Sequence, residues 1–477
     1  MKKAIKIIAI SLLIAVGVAL LGALCFIGAG HIYRTTYNYD VPERIERVYA
    51  DGDLKTIVAD GKALYDEDGN LFEIKGINFG NLLISEGWMT VNSLGALYND
   101  DGSFKKVNEQ GIVEEYEEIY QEELDAVLAS RFTEEQVEAL NDAYFYSYCT
   151  EADFIHIKNL GLNTIRLPMY YRNFMEGADE ALVMREDAFE KVDYFLELAK
   201  KHDLRVILDM HGVVGGQSGY EHCGTRDMDF WENETYIASM CELWQNIAEH
   251  YVTERADLAS TILAYDLVNE PTKRTEVGTG ELQWQVMDRL YDSIREVDKY
   301  HTVSIEGVWY FNSLPDPARY GWDNVLYQYH FYNWSSDTLP NWLFYDFMYA
   351  LRISSDYNVP KLVGEFNFFN DKDAWLEYLD MYENTGLGWT VWSYKIVSVG
   401  WWDNSWGVAV YKMNLENDKD TPVEDYVLKL DLRTATYEEI MAEWSTQKTD
   451  DGTNGGKYKL DGILVEVIKE HLKGDAS

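Results

Sequence analysis

The chain has 477 residues, 47% of them hydrophobic and 26% charged, a balance typical of folded globular proteins that excludes extensive disorder. With 82 acidic and 41 basic residues the formal net charge is −41. That charge excludes a nucleic-acid partner, since such binding needs cations that neutralise phosphates. The four cysteines show no CxxC spacing, which excludes a disulfide scaffold and a zinc ribbon. The 15 Trp, 35 Tyr and 18 Phe suit both core packing and stacking against flat neutral ligands such as sugars.

The N-terminus predicts export. Lys2, Lys3 and Lys6 precede an uncharged run over residues 7–30. As a helix this run is about 36 Å long at ~1.5 Å per residue, enough to cross a bilayer core of about 30 Å. The lysines are expected to stay in the cytoplasm. Small residues at 28–30 leave two alternatives open, an uncleaved transmembrane anchor and a cleaved signal peptide. Either one places the chain from about residue 31 outside the cytoplasm, anchored at the cell membrane or secreted.

The exported part is predicted to be one domain. Residues 31–50 read as a polar stalk, and residues 51–477 as a single catalytic domain. The domain begins with a hairpin over residues 54–72, in which the strand Leu54–Val58 is followed by a turn around Asp68-Gly69-Asn70 and then Leu71-Phe72.

Apolar runs then alternate with amphipathic stretches such as residues 187–201, 232–250 and 282–297. The continuous Val, Ile and Leu content of the runs is typical of strands buried on both faces. Eight such runs predict an α/β fold, a closed parallel (β/α)8 TIM barrel. The runs are Ile74–Phe79, Leu162–Leu167, Arg205–Asp209, Ile262–Val268, Val303–Ile305, Val325–Tyr329, Lys361–Gly364 and Trp389–Trp392.

Two regions extend the predicted barrel. Residues 81–161 form a long insert with Glu-rich helices predicted at 114–127 and 133–146. The tail from residue 411 is acidic, with a Gly/Asp-rich loop at 450–456 and a last helix predicted near 460–472.

Polar or aromatic residues end six of the eight runs. Catalytic groups of such barrels lie at the C-terminal ends of the strands, so these residues are expected around one rim. They are Arg166, His211, Asn269 with Glu270, His330 with Tyr332, Glu365, and Trp392.

Two of these residues, Glu270 and Glu365, form a predicted carboxylate pair. Strands four and seven lie on opposite sides of an eight-stranded barrel, so the two groups can face each other. Glycosidic bond hydrolysis requires such a pair: one carboxyl protonates the leaving oxygen, and the other attacks the anomeric carbon or activates water. A gap of about 5 Å predicts a retaining mechanism.

The neighbours suit supporting tasks. Arg166 would keep Glu365 ionised, because an adjacent cation lowers a carboxyl pKa, and Tyr332 could hydrogen bond to the same group. Asn269 could contact a sugar 2-hydroxyl. His211 and His330 are expected to bind hydroxyls or position the acid. Trp392 is expected to stack on a sugar ring.

These motifs resemble glycoside hydrolase family 5, a family of cellulase-like enzymes. The likeness covers about residues 54–430, and all six strand ends occur in order. Its segments are Asn269-Glu270-Pro271 after the run 262–268, Val363-Gly364-Glu365-Phe366, the segments 161–168 and 388–393, and His330-Phe331-Tyr332.

The resemblance implies a retaining β-glycosidase that needs no metal or other cofactor. It implies Glu270 as acid/base and Glu365 as nucleophile, and the other six residues as substrate-binding groups: Arg166, His211, Asn269, His330, Tyr332 and Trp392. We expect a monomer that hydrolyses a β-glucan or related polysaccharide. Two alternatives stay open, a membrane-associated hydrolase of glucosylceramide-type glycolipids and a non-catalytic carbohydrate-binding barrel. The long 81–161 insert departs from the family pattern and bears on the substrate.

Three weaker features remain. Aromatic residues after the fifth and eighth strands are expected either to line sugar subsites or to pack loops; they are Trp309, Tyr310, Trp401, Trp402 and Trp406. The Gly-rich segment 215–219 lacks a P-loop lysine and predicts a loop over the site. Cys149, Cys223 and Cys241 allow at most one disulfide.

Overall fold

Eight parallel strands close into a barrel in chain order, the first pairing with the eighth. The computed structural model describes residues 14–25, 28, 40–95, 118–177, 182–273, 279–308, 313–332, 357–398, 406–412, 429–460 and 462–474. The barrel strands are β1 (Lys75–Asn78), β2 (Thr164–Tyr170), β3 (Arg205–Gly212), β4 (Ile262–Asp266), β5 (Thr302–Glu306), β6 (Val325–Tyr332), β7 (Lys361–Asn367) and β8 (Leu387–Val391).

All eight predicted strands are confirmed, and so is the barrel. β2, β3, β6 and β7 each run on past the predicted end by three residues. The apolar runs stop where polar side chains begin, but backbone pairing continues beneath those side chains; Glu365 in β7, for instance, pairs in register with His330 in β6.

Helices cover the outside of the barrel, each with its apolar face inward. In the helix Glu190–Lys201 the buried side chains are Val192, Phe195, Leu196 and Ala199, at helical spacing. The longer helices of the described part are α1 (Gln121–Arg131), α2 (Glu134–Tyr148), α3 (Glu151–Asn159), α4 (Glu190–Lys201), α5 (Glu234–Val252), α6 (Glu281–Arg295), α7 (Lys372–Asn384), α8 (Tyr437–Trp444) and α9 (Ile463–Gly474).

The predicted turn at 68–70 is present, with Tyr65 and Leu71 paired antiparallel across it, but the prediction missed an earlier reversal that forms the hairpin itself. Its strands are Val58–Asp60 and Ala63–Tyr65, which reverse at Gly61, a residue with φ +61°. The predicted turn at 68–70 is a second reversal, held by the Asp66 carboxylate, which accepts from the backbone of Asp68 and Asn70. Both sites carry Gly in a left-handed conformation, so local turn chemistry did not distinguish them.

The hairpin covers the N-terminal end of the barrel, opposite the predicted site. Ile57 and Leu64 pack there against a buried cluster that includes barrel residues Ile207, Leu263, Leu326 and Leu362. Ile45 and Glu43, within the predicted stalk, hydrogen bond through their backbones to Gly69 and Leu71.

The insert and the tail pack against each other and against the segment that follows the eighth barrel strand. The insert contributes α1, α2 and α3. α2 matches the helix predicted at 133–146. α1 overlaps the helix predicted at 114–127 but begins only at Gln121, and residues 114–117 lie outside the described part. Short strand pairs join Asn92–Ser93 to Leu430–Asp431 and Lys395–Ser398 to Ala409–Lys412. The predicted last helix is present as α9.

Of the predicted membrane-spanning run 7–30, only residues 14–25 and 28 are described, and they are helical. Among the residues that the structure describes, no helix combines the length and the apolar character that a bilayer crossing requires. Cys25, Cys149, Cys223 and Cys241 all carry free thiols.

Candidate active site

Glu365 lies on β7 and is held by a cation and a phenol. Arg166 on β2 donates from Nη1 to Glu365 Oε1 at 2.8 Å. Tyr332 at the end of β6 donates its hydroxyl to Oε2 at 2.7 Å. The carboxyl group is 5% exposed, so both contacts act where water screens them little.

Glu270 follows β4 and lacks such a cation. Its backbone has φ +40°, and its N–H donates to Glu306 Oε2 at 2.9 Å, which holds this left-handed conformation. His330 Nδ1 lies 3.0 Å from Glu270 Oε1, and His222 Nδ1 lies 3.5 Å from Oε2. Glu270 is 9% exposed.

The two carboxylates face each other across the end of the barrel. One oxygen of Glu270, one of Glu365 and a ring nitrogen of His330 all lie within 4.8 Å of one another. Burial and the charge of Glu365 raise the pKa of Glu270 to about 8. Burial also raises the pKa of Glu365, but Arg166 and the Tyr332 hydroxyl oppose that rise. Glu365 therefore ionises before Glu270.

Arg166 is the centre of a buried network that fixes the strand ends. Arg166 is 0% exposed, and its guanidinium also donates to Asp266 at 2.9 Å and to the Asn269 amide oxygen at 2.8 Å. It forms an ion pair with Asp209 at 3.1 Å. Among the described residues, Arg166 is thus the single cation beside three buried carboxyl groups, those of Glu365, Asp266 and Asp209. Burial raises the pKa of Asp209 to about 7 and that of Asp266 to about 6.

Gly364, beside Glu365, lets this network form. Gln328 on β6 donates to Asp266 at 2.7 Å. A Cβ at position 364 would lie 2.0 Å from the Gln328 amide oxygen, so only glycine leaves room for that side chain.

Asn269 and His211 are oriented together. His211 Nδ1 lies 2.6 Å from Asp209, and burial lowers the pKa of His211 to about 3, so the ring is neutral. A proton on Nδ1 leaves His211 Nε2 to accept from the Asn269 amide at 3.5 Å. Gln217, in the predicted Gly-rich loop after β3, donates to the backbone carbonyls of His211 and Asn269 at 2.7 and 2.9 Å.

Trp392 and Trp406 lie on the same side of the site. Trp392 is 3% exposed and stacks on His211, with ring centroids 5.6 Å apart. Trp406 contacts Trp88 at 4.9 Å and Tyr332 at 5.6 Å between centroids. Trp309, Tyr310, Trp401 and Trp402 lie outside the described residues.

A short segment after β1, residues 86–88, adds a further acid. Trp88 Nε1 donates to the Glu86 carboxylate at 2.8 Å. Burial and the charges of Glu221, Glu365 and Glu270 raise the pKa of Glu86 well above its usual range. Glu221, in the loop after β3, accepts from Gly87 N–H. Glu86 therefore lies within electrostatic range of both central carboxylates.

Glu270, Glu365 and His330 also have the composition of a metal site. Their mutual distances, however, are those of hydrogen bonds and ion pairs centred on His330. His330 Nδ1 lies 3.0 Å from Glu270 and 3.5 Å from both Glu306 and Glu365. In the tautomer with the proton on Nδ1, which donates to Glu270, that nitrogen has no lone pair for a metal.

All eight predicted site residues lie at this end of the barrel. Sequence reasoning missed other participants: Asp209, Asp266, Glu306, Glu86, Glu221 and His222. Glu306 ends β5 and directly follows the predicted run 303–305, as Glu365 follows the run 361–364, so the rule applied to the other strands identifies it as well. Asp209 is the last residue of the predicted run 205–209, where the prediction selected His211 instead. The other misses lie inside a predicted run or in loops, where periodicity gives no signal.

Known proteins show the same family and fold. The family model for cellulase (glycosyl hydrolase family 5) matches residues 128–398. A beta-xylosidase of Phanerodontia chrysosporium is 28% identical over 278 residues, 57% of this chain and 51% of that protein. A glucan 1,3-beta-glucosidase of Lachancea kluyveri is 30% identical over 213 residues, 44% of each chain. The chain thus spans about half the length of the curated relatives it matches.

Among solved structures, the rutinosidase from Aspergillus niger has a TM-score of 0.52 at 16% identity, covering 78% of this chain and 97% of that one. This likeness concerns the fold. The family model covers more than half of the sequence, and the chain therefore belongs to glycosyl hydrolase family 5.

Proposed function

We propose that the protein is a retaining β-glycosidase that cleaves the O-glycosidic bonds of a β-glucan or related polysaccharide. The observation that carries this proposal is the separation of the Glu270 and Glu365 carboxylates, which have oxygens within 4.8 Å of each other. Retaining enzymes place these groups about 5–5.5 Å apart, whereas inverting enzymes leave roughly 6.5–9.5 Å for a water.

Glu365 is the proposed nucleophile. In the first step a carboxylate oxygen of Glu365 bonds to the anomeric carbon, and the bond between that carbon and the glycosidic oxygen breaks. Glu270 gives its proton to the departing glycosidic oxygen. In the second step Glu270, now ionised, takes a proton from water. The water oxygen bonds to the anomeric carbon, and the bond to Glu365 breaks.

The surroundings support this division of roles. Arg166 and Tyr332 stabilise negative charge on Glu365, the form that a nucleophile needs. Glu270, with a pKa of about 8, holds a proton at neutral pH, the form that an acid needs. His330 and Glu306 fix the position of Glu270.

The groups around the pair support a carbohydrate substrate. Asn269, His211 and Glu86 offer polar atoms for sugar hydroxyls, and Trp88 and Trp392 offer ring faces. Relatives named as glucan 1,3-beta-glucosidases and a beta-xylosidase make β-1,3-glucan and β-xylosides the first substrates to try.

Covalent trapping tests the proposal. An aryl 2-deoxy-2-fluoro-β-glycoside with a dinitrophenolate leaving group reacts in the first step without needing an acid, while the fluorine slows the second step. We expect one equivalent of glycosyl label on Glu365, located by peptide mass spectrometry, and no label on Glu365→Gln. The Glu365→Gln variant should lose turnover while still binding the sugar.

Glu270→Gln is the matched control. It should still take the label, because this leaving group needs no proton, but its turnover of unactivated glycosides should fall by about 10²–10⁴-fold, the usual contribution of a general acid. Labelling elsewhere, or undiminished turnover by Glu365→Gln, would refute the assignment. A panel of β-glucans, xylans and glucosylceramide in detergent would identify the sugar.

A further inference from the structure

Each carboxyl oxygen of Glu270 lies beside one imidazole. His330 Nδ1 is 3.0 Å from Oε1, and His222 Nδ1 is 3.5 Å from Oε2. The His330 side chain is completely buried, whereas the His222 side chain is 14% exposed, so His222 lies on the more open side of the carboxyl group. His330 and Glu306 reach Glu270 from barrel strands, but His222 comes from the loop after β3.

A buried serine fixes the tautomer of His222. Ser218 is fully buried, and its Oγ lies 2.9 Å from His222 Nε2. The same oxygen accepts from Tyr220 N–H at 3.2 Å. A buried hydroxyl proton needs an acceptor, and in the described part of the chain that acceptor is His222 Nε2. Nε2 therefore accepts, and the ring proton lies on Nδ1, which faces Glu270.

His330 directs a proton at the other oxygen of Glu270. Its Nδ1 lies 3.0 Å from Glu270 and 3.5 Å from both Glu306 and Glu365, so a proton on Nδ1 has carboxylate acceptors on every side. Burial lowers the pKa of His330 well below its usual range, so the ring is neutral. With an N–H facing each oxygen of Glu270, neither ring offers a lone pair to the Glu270 proton. That proton is left for the glycosidic oxygen.

The loop that carries His222 is held on two sides. Gln217 bonds it to the barrel, through the carbonyl oxygens at the end of β3 and just after β4. From the insert, the Tyr120 hydroxyl donates to the Gly219 carbonyl at 3.2 Å, and Glu122 N–H donates to the Gly224 carbonyl at 3.1 Å. The insert thus fixes the position of this imidazole beside the acid.

Negative charge forms on Glu270 when it protonates the leaving oxygen. While Glu270 is neutral, an N–H at 3.5 Å from Oε2 contributes little. Once Glu270 is a carboxylate, a small approach of the ring gives a charge-assisted hydrogen bond, which is about twice as strong as a neutral one. A contact that strengthens as the charge develops lowers the barrier to proton transfer.

We propose that His222, oriented by Ser218, is a positioning residue that stabilises the charge forming on Glu270 and directs the Glu270 proton to the glycosidic oxygen. This inference rests on the proposed function, which makes Glu270 the acid/base. Other charged or titratable groups also act on Glu270 from the surrounding elements. They are Glu86 after β1, Arg166 on β2, Asp209 on β3, Glu306 on β5, His330 and Tyr332 on β6, and Glu365 on β7.

The test is the pH dependence of kcat/KM for an unactivated glycoside, measured for the wild type, His222→Leu and His222→Asn. Leucine keeps bulk but has no donor, so Glu270 should hold its proton more tightly, and the alkaline limb should move up by about one pH unit. The rate at the optimum should fall by up to about tenfold, because Glu270 is then a weaker acid. Asparagine carries an N–H near the position of Nδ1 and should keep the limb in place.

Two controls separate this effect from general damage to the site. A dinitrophenyl glycoside needs no acid in the first step, so His222→Leu should form the glycosyl-enzyme from it at nearly the wild-type rate. His202→Leu also removes an imidazole next to a carboxylate, that of Glu151 at 3.0 Å, but lies after α4 on the outside of the barrel. It should leave both limbs unchanged. If His222→Leu does not fold, His222→Ala removes the same donor and takes its place.

An alkaline limb that stays in place in His222→Leu, or that moves equally in His222→Asn, overturns the role of His222. Absence of turnover in the wild type, or a label on a residue other than Glu365, refutes the proposed function instead. The Glu270 carboxyl is then titrated by NMR of protein labelled at the glutamate carboxyl carbons, its signal identified by its loss in Glu270→Gln. Equal midpoints in the wild type and His222→Leu would still refute the contact, and a higher midpoint in His222→Leu would support it.

Discussion

Glu270 and Glu365 have the same side chain, so their different chemistry must come from their neighbours. Both are buried, and burial raises both pKa values. Of the two carboxylates, Glu365 is the one that accepts hydrogen bonds from Arg166 and Tyr332. In the described part of the chain, Glu270 lies beside the nitrogens of His330 and His222, and its backbone N–H donates to Glu306. The first proton that the pair loses therefore leaves Glu365, and the remaining proton stays on Glu270.

The pH dependence of kcat/KM should follow a bell. In the proposed mechanism the active form has Glu365 ionised and Glu270 protonated, so activity is expected to fall as pH drops through the pKa of Glu365. It is expected to fall again as pH rises through the pKa of Glu270, near pH 8. Initial rates on an unactivated glycoside, measured from pH 3 to 10 at constant ionic strength, check this expectation.

Glu270→Gln should flatten the alkaline limb when an activated aryl glycoside is the substrate, since the group that titrates there has been removed. An alkaline limb that persists in this variant would assign the limb to another group, such as Glu306 or Asp209, both buried with raised pKa values.

Among the elements, the segment 86–88 depends on others for its position. Glu221 accepts from Gly87 N–H on one side. Lys429, from the C-terminal tail, donates to the Gly87 carbonyl at 2.6 Å on the other. Both groups are at least nine-tenths buried. The segment thus presents Glu86 and Trp88 to the site only because the loop after β3 and the tail hold its backbone.

Glu221→Ala should therefore raise KM by about tenfold, because a hydrogen bond to a charged group contributes roughly 1.5–3 kcal/mol. The effect on kcat should be smaller, because Glu221 is remote from the bonds that change. Glu221→Gln, which keeps an oxygen acceptor for Gly87 N–H, should restore most of the affinity. Steady-state kinetics of the three proteins test this, and equal KM values for Ala and wild type would exclude the holding role.

The barrel was predictable from sequence because each strand is an apolar run that is buried on both faces. The residues around the C-terminal end of the barrel could be predicted from those runs, since Arg166, Glu270 and Glu365 lie at or just after their ends. The segment 86–88 was not predictable, because its position depends on Glu221 and Lys429, contacts between residues 134 and 342 positions apart. The reversal at Gly61 was missed for a related reason: the strands on either side of it are only three residues long, and their place is set by packing on the barrel end rather than by a local pattern.

At the scale of the whole molecule, one buried ion pair joins three distant parts of the chain. Lys395, just after β8, lies 3.1 Å from Asp153 on α3, and both side chains are fully buried. Lys395 also donates to the carbonyl oxygens of Tyr148 and Gln447. Asp153 in turn accepts from the Tyr394 hydroxyl at 3.0 Å and from Thr449 at 2.6 Å. The insert, the end of the barrel and the tail thus meet at this pair.

Lys395→Met should lower the free energy of unfolding by about 3–5 kcal/mol, since it leaves the Asp153 carboxylate buried without its cation. The double variant Asp153→Asn with Lys395→Met should recover much of that loss, because the remaining groups are neutral. Urea unfolding of the wild type, both single variants and the double variant measures the coupling. Additive losses would mean that the ion pair does not join these parts. A positive coupling with near-normal kcat in the double variant would show that the pair supports the architecture around the site while the reaction depends on Glu270 and Glu365.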